Sequence, residues 1–231
     1  ILRVHPDASL FVREDDDGET WILLGHAYDP WQGEASESRL LDNLQRAYSR
    51  SEEDFLDSLD QLSGRFVLFH MRPEGTGFVV QDAVGLKNVY YAESPDGPCF
   101  ASHSQLLADA LDLKRDPGVD RLVSSWFYGV GIRHLPGVRT PFQKMQMLSA
   151  NTRLQLPTLT VERIFPRGPH PESGDLKETA RIIGDVFTAS FELLSRKKPL
   201  ALSLSMGTDS RVSLAASRAH QNEIHYFSYI S

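Results

Sequence analysis

The chain has one cysteine, Cys99, in 231 residues. A lone thiol closes no internal disulfide and builds no Cys-based zinc site, and it fits a reducing, cytoplasmic compartment. Long apolar runs are also missing. A membrane span needs about 18 such residues, and Trp21-Ile22-Leu23-Leu24 and Phe66-Val67-Leu68-Phe69 are strand-sized. Positive charge is scarce: 24 Lys+Arg stand against 31 Asp+Glu, a net charge of −7. That balance argues against nucleic acid as a partner, because phosphate backbones are held by clustered Lys and Arg. Eight histidines are present, but no pair has ligand spacing on one helix. His26, His70 and His103 alternate with apolar strand residues and read as structural groups. Repeats and low-complexity tracts are absent. What is present is a 41% hydrophobic share with 10% aromatics, enough for real cores in one or two domains.

The first residue is Ile1, with no signal-type segment after it, and the last eight, Ile224 to Ser231, read as a buried strand. The expectation is that both ends are cut from a longer chain.

Strand patterns dominate the first half, at Thr20 to Tyr28, Arg65 to Met71, Gly77 to Gln81 and Val89 to Glu93. The two middle runs, joined by a Gly-containing turn, predict a hairpin. Helical spacing marks Ser38 to Ser49, with Leu40, Leu41, Leu44 and Ala47 on one face, then Ser104 to Leu111, and more weakly Arg121 to Tyr128. Trp126-Phe127-Tyr128 reads as core or domain-interface packing, Cys99 as a buried strand residue, and Glu14-Asp15-Asp16-Asp17 as a solvated turn. Met145 to Leu148 and Thr152 to Leu156 resume strand character. Residues 166-174 carry three prolines and two glycines and read as a linker. A long helix follows, capped by Asp175 with Glu178 three residues on, its apolar stripe made of Leu176, Ala180, Ile183, Phe187, Phe191 and Leu194.

After Pro199 the order is strand, loop, helix, strand. Leu200 to Leu204 is apolar, Ser205-Met206-Gly207-Thr208-Asp209-Ser210 is the loop, Arg211 to Ala219 is helical, and Ile224 to Ile230 is the next strand. A strand that feeds a helix through small residues aims backbone N–H groups at the positive end of the helix dipole, which suits a phosphate. Ser205 and Ser210 add hydroxyl donors, and Asp209 fits beside phosphate when Mg²⁺ lies between them. A plain capped helix with no ligand explains the same residues on local grounds. The GxxxxGK[ST] phosphate loop is absent.

Leu204 to Ser210 resembles the LSGGxDS pyrophosphate loop of the asparagine-synthetase type of ATP pyrophosphatase, matching four of the five fixed positions of SGGxDS. Four further pieces resemble that family's class II glutamine amidotransferase domain, in family order. They are Leu62-Ser63-Gly64-Arg65-Phe66 (LxGxF), Asp82 to Tyr91 (DxxGIKPLYY), Phe100-Ala101-Ser102 with Leu106-Leu107 (FASExKALL), and Thr140-Pro141-Phe142 to Leu148 (TxFxxIxxLPPG). The resemblance implies an α+β αββα sandwich of the Ntn amidohydrolase type over 1-165, a linker at 166-174, and the start of an α/β ATP-pyrophosphatase domain at 175-231. It implies an ATP- and Mg²⁺-dependent, AMP-forming ligase that adenylates a small-molecule or peptide carboxylate and joins it to an amine. β-Lactam synthetases and lasso-peptide cyclases are similar cases. Ser205, Gly207, Thr208, Asp209 and Ser210 would hold the β- and γ-phosphates, with Mg²⁺ reached from Asp209 through phosphate. Leu204 would lie near adenosine and Tyr229 near adenine. A homo-oligomer is left open, as are the acyl and amine substrates.

The chain departs from the family in two places. Met206 replaces the loop's first Gly; if that position needs φ > 0, the β-carbon costs about 1 kcal/mol. Leu24-Gly25-His26-Ala27-Tyr28 stands where the family reads N-G-E-I-Y, so Leu24 offers no donor to an oxyanion hole. The N-terminal Cys nucleophile is missing, and Glu37 matches poorly as the carboxylate that grips a glutamine amine. The expectation is a glutaminase fold without glutaminase activity. A non-catalytic, partner-binding module is the competing reading. The fragment itself is expected to be inactive, since the later S-G-E-G stretch of the synthetase domain is absent.

Overall fold

The structure is a computed structural model that describes residues 2–131, 133–169, 174–197, 199–205 and 207–229. It is a mixed α/β fold built largely on antiparallel sheets. The chain divides into two compact units, Ile1–His26 with Arg65–Gly168, and Ala27–Gly64 with Pro169–Ser231.

The first unit carries a six-stranded sheet in the order β1 (Leu10–Glu14), β2 (Thr20–Tyr28), β3 (Ser63–Met71), β4 (Gly77–Gln81), β8 (Thr152–Leu156), β9 (Val161–Arg163). The expected hairpin forms, with Val67 opposite Gln81 and Met71 opposite Gly77. A three-stranded sheet follows the order β6 (Gly97–Ala101), β5 (Tyr90–Ser94), β7 (Met145–Met147). Side chains of β5 alternate between two cores, as the pleat requires. Tyr91 packs with Val67, Val79, Val89, Leu148 and Leu154 between the sheets. Ala92 faces the other way, onto Leu107 and Ala108 of α3 (Ser104–Leu111), with Phe142 and Met145.

The single helix expected over Arg121 to Tyr128 is instead two. Asp116 accepts from Gly118 N at 2.7 Å and starts α4 (Pro117–Val123), while Ser125 starts α5 (Trp126–Val130). An Asp-Pro start and a second Ser cap cut the segment in two. Trp126 and Phe127 are not core, being 79% and 67% exposed. Cys99 is on a strand but only half-buried, and among the named histidines His70 alone is buried in a strand.

In the second unit α1 (Glu37–Arg50) buries the predicted face of Leu40, Leu41, Leu44 and Ala47. It packs against α2 (Glu52–Asp60), which the sequence reading did not foresee and which contributes Phe55, Leu56 and Leu59. Helix α6 (Leu176–Ser195) starts at Asp175, whose carboxylate accepts from Lys177 N at 2.8 Å. Glu178 does not complete a capping box, since it pairs with Arg181 at 2.6 Å. The α6 stripe is covered unevenly. Leu193 is buried, while Leu176 and Ile183 are 82% and 50% exposed. Helix α7 (Thr208–Ala216) packs against α6, and none of the described elements covers Leu176. Lys198 lies outside the described residues.

Candidate functional site

Strands β10 (Leu200–Ser203) and β11 (Ile224–Phe227) pair in parallel, with Leu200 opposite Ile224 and Ser203 opposite Phe227. A parallel pair requires a crossover, and here α7 and a short 3₁₀ turn at Arg218–His220 provide it. The loop of interest therefore leaves the carboxyl end of β10, where open α/β sheets receive ligands. Leu204 continues the ladder by donating its N–H to Phe227 O at 2.7 Å, and its carbonyl accepts from Ser228 Oγ at 2.8 Å.

Five of the loop positions come together at the start of α7. Ser205 N donates to Ser210 Oγ at 3.0 Å, and the two hydroxyls lie 2.7 Å apart. Gly207 N donates to Ser205 Oγ at 3.2 Å. Gly207 is the helix N-cap, at φ −71° and ψ 162°, and the helix begins without a side-chain cap. That φ is open to any residue, so the glycine is not demanded by conformation. A β-carbon there would meet Ser205 Oγ at 3.3 Å, and the first turn of α7, with Thr208, Asp209 and Ser210, carries the positive end of the helix dipole. Gly207, Thr208 and Asp209 are exposed and Ser210 is half-buried. Tyr229 is 83% exposed and meets Phe227 edge to face at 5.5 Å between centroids. It stands one residue past the Ser228 contact to Leu204. Met206 lies outside the described residues.

The loop's chemistry is that of anion donors. It holds three hydroxyls, those of Ser205, Thr208 and Ser210, a helix start without a side-chain cap, and one carboxylate in the first turn. Two of its amides, those of Ser205 and Gly207, are engaged by its own hydroxyls, so an incoming anion would replace those bonds. Among the described residues no group of three or more His, Cys, Asp or Glu side chains could hold a metal. A Mg²⁺ at Asp209 would thus take most of its ligands from phosphate and water.

Leu24 lies on β2 opposite Leu10. Gly25, at φ +114°, donates its N–H to Ser9 O at 2.8 Å. A β-carbon there would meet Arg65 O at 2.2 Å, so the position is closed to other residues. His26 is exposed, with Ser9 Oγ 3.4 Å from its ring nitrogens. Glu37 opens α1 and is paired with Lys197 Nζ at 2.5 Å, a contact the sequence reading missed. It missed a second cluster too. His70, fully buried, holds Nε2 2.9 Å from Glu19 Oε2, and Arg72 Nε donates to Glu19 Oε1 at 2.8 Å. Burial pushes the His70 imidazole down. Burial would push the Glu19 carboxyl up, but the hydrogen bonds from Arg72 and His70 more than reverse this and hold it below its ordinary value. Burial also raises the Tyr91 phenol. A histidine inside the apolar run Phe66 to Met71 was the only signal of the His70 cluster.

No helix among the described residues is long and apolar enough to cross a membrane. No family model matches the sequence, and no curated protein matches it. Among solved structures, the chain is similar to the glutamine phosphoribosylpyrophosphate (PRPP) amidotransferase from B. subtilis complexed with ADP and GMP, at 13% identity and a TM-score of 0.42. The match covers 94% of this chain and 47% of that one, so the chain spans about half of that protein's length.

Proposed function

We propose that the chain is part of an asparagine-synthetase-like, ATP-dependent ligase that adenylates a carboxylate and forms an amide bond, its amidotransferase-like first domain lacking glutaminase chemistry. The observation that carries the reading is the outward-facing, uncapped start of α7 at the carboxyl end of β10, ringed by Ser205, Thr208, Asp209 and Ser210. In this reading the domains run 1-165 and 175-231, as the motif resemblance divides them. Bound ATP with Mg²⁺ supplies an activated phosphoanhydride. The chain's own residues hold its β- and γ-phosphates through the amides of the first turn and the Ser205 and Ser210 hydroxyls. Asp209 keeps the cation on the phosphate side. Leu204 and Tyr229 flank the base. The first-turn amides, with loop groups that exchange their internal hydrogen bonds for phosphate, stabilise the charge that grows on departing pyrophosphate. The acyl group is a small-molecule or peptide carboxylate and the nucleophile an amine. Leu24 supports an amine that does not come from glutamine, because its side chain has no donor for an oxyanion.

A second reading is a non-catalytic module that retains the fold. The engaged amides of Ser205 and Gly207 favour it.

Calorimetry with Mg·ATP and isotope exchange between ATP and pyrophosphate separate the two. The ligase reading expects nucleotide binding that weakens about tenfold in Ser210→Ala, and exchange that depends on one class of carboxylate. No binding and no exchange would leave the module.

A further inference from the structure

The first unit contains an open cleft of about 770 Å³, well away in sequence from the β10 loop, whose walls include Tyr91, Glu93, Lys144, Gln146, Pro95 and Leu159. That volume lies in the range of small-molecule sites. Its base is the β5–β7 ladder, where Tyr91 is opposite Gln146 and Ala92 opposite Met145. Alternation places Tyr91 and Glu93 on one face of β5, with Gln146 opposite Tyr91, and Lys144 lines the same cleft from the turn just before β7.

Glu93 and Lys144, both exposed, line one cleft without pairing, and neither has an ion-pair partner among the described residues. Lys144 departs from strand geometry at φ +58°, a conformation that L side chains disfavour, and Leu159 on the same cleft does so at φ +56°. Strained residues gathered at one cavity are a mark of sites shaped for something other than stability. On the same cleft, Tyr91 donates its O–H to Gln146 Oε1 at 2.7 Å. This fixes the amide and leaves its N–H₂ group without a protein partner among the described residues. The raised Tyr91 phenol stays protonated, and so stays a donor, throughout the neutral range.

We infer that this cleft binds a free α-amino acid with an aliphatic side chain, its carboxylate on Lys144 Nζ and Gln146 Nε2, its ammonium on Glu93, and its side chain against Leu159 and Pro95. A zwitterion satisfies two opposite charges that line one cleft without pairing, and a singly charged ligand would leave one of them facing a like or absent partner. The inference goes beyond the ligase reading and rests on none of its residues.

L-Leucine is the probe, beside 3-methylbutylamine, which lacks its carboxylate, and 4-methylpentanoate, which lacks its ammonium. Titrations of the whole chain are followed by calorimetry and by methyl resonances of Leu159 and Met145. The expected result is saturable leucine binding, with each analogue weaker by about tenfold. Glu93→Gln should bring leucine down to the level of 4-methylpentanoate and leave that acid unchanged. Lys144→Asn, a residue that accepts the left-handed backbone, should bring it down to the level of the amine. Leucine binding no tighter than either analogue, shifts that map away from Leu159 and Met145, or no saturable binding would overturn the assignment.

Discussion

Lys197 Nζ lies 2.5 Å from Glu37 Oε1, joining the turn that follows α6 to the first turn of α1 across 160 residues of sequence. The carboxylate side chain is 9% exposed and the lysine 25%. Removing one partner from a pair this enclosed takes from the other the opposite charge that offsets its burial. Lys197→Met should destabilise the protein by about 2 kcal/mol, and Glu37→Gln, which keeps a hydrogen bond, by about 1 kcal/mol. Urea unfolding at neutral pH measures both, and equal, near-zero effects would show the pair to be dispensable.

Acid should weaken the fold through the Glu19–His70–Arg72 cluster. The folded His70 has a lowered pKa, so the unfolded chain takes up the proton first. The corresponding stability is complete above the ordinary histidine range, near pH 6.5, and is lost as pH falls below it. Glu19 is also lowered and adds a second loss in the carboxylate range. Unfolding midpoints at pH 7.5 and 5 should therefore differ, and His70→Gln should narrow that gap. An unchanged gap would place the acid sensitivity elsewhere.

Two glycines with similar φ should respond differently to a methyl group. Gly25 sits at φ +114°, and an added Cβ would lie 2.2 Å from Arg65 O. Gly97, at φ +113°, has nothing within 4 Å. Gly25→Ala should cost about 3 kcal/mol or prevent folding, while Gly97→Ala carries only the backbone strain, about 1 kcal/mol. Thermal melts of the two variants side by side test this.

Trp126→Ala and Phe127→Ala should leave stability within about 0.5 kcal/mol of the parent, because both rings stand largely in solvent. A larger loss in either melt would mean that the rings are covered in solution.

Local signals in the sequence were strong where one element had its own pattern. Thr20–Tyr28, Ser104–Leu111 and Thr152–Leu156 were legible to the residue, since each alternates or turns with a regular period between clear breakers. Helix α2 was hidden because Glu52, Glu53, Asp54 and Asp57 mask a stripe of only three apolar residues. Strand β1 is short and edge-placed, with every second side chain exposed, and its partner lies after an acidic turn. The insertion of β8 beside β4 pairs residues far apart in sequence, Val79 with Leu154 and Val80 with Arg153 among them, which no local period encodes. In the candidate loop the residue types were visible, but not the mutual engagement of Ser205 and Ser210. That contact depends on where the helix begins, which is Thr208 rather than Arg211.

Asp82 accepts from Leu86 N at 2.8 Å and from Lys87 N at 2.9 Å, and its own carbonyl takes Gly85 N at 2.9 Å, with Gly85 at φ +66°. The most recognisable letters of that stretch are thus answerable to a corner in the main chain. They would be retained by any descendant that still had to make the corner, whatever became of its chemistry. A tally of such letters measures inheritance of a shape, and the activity has to be read from residues that fold nothing.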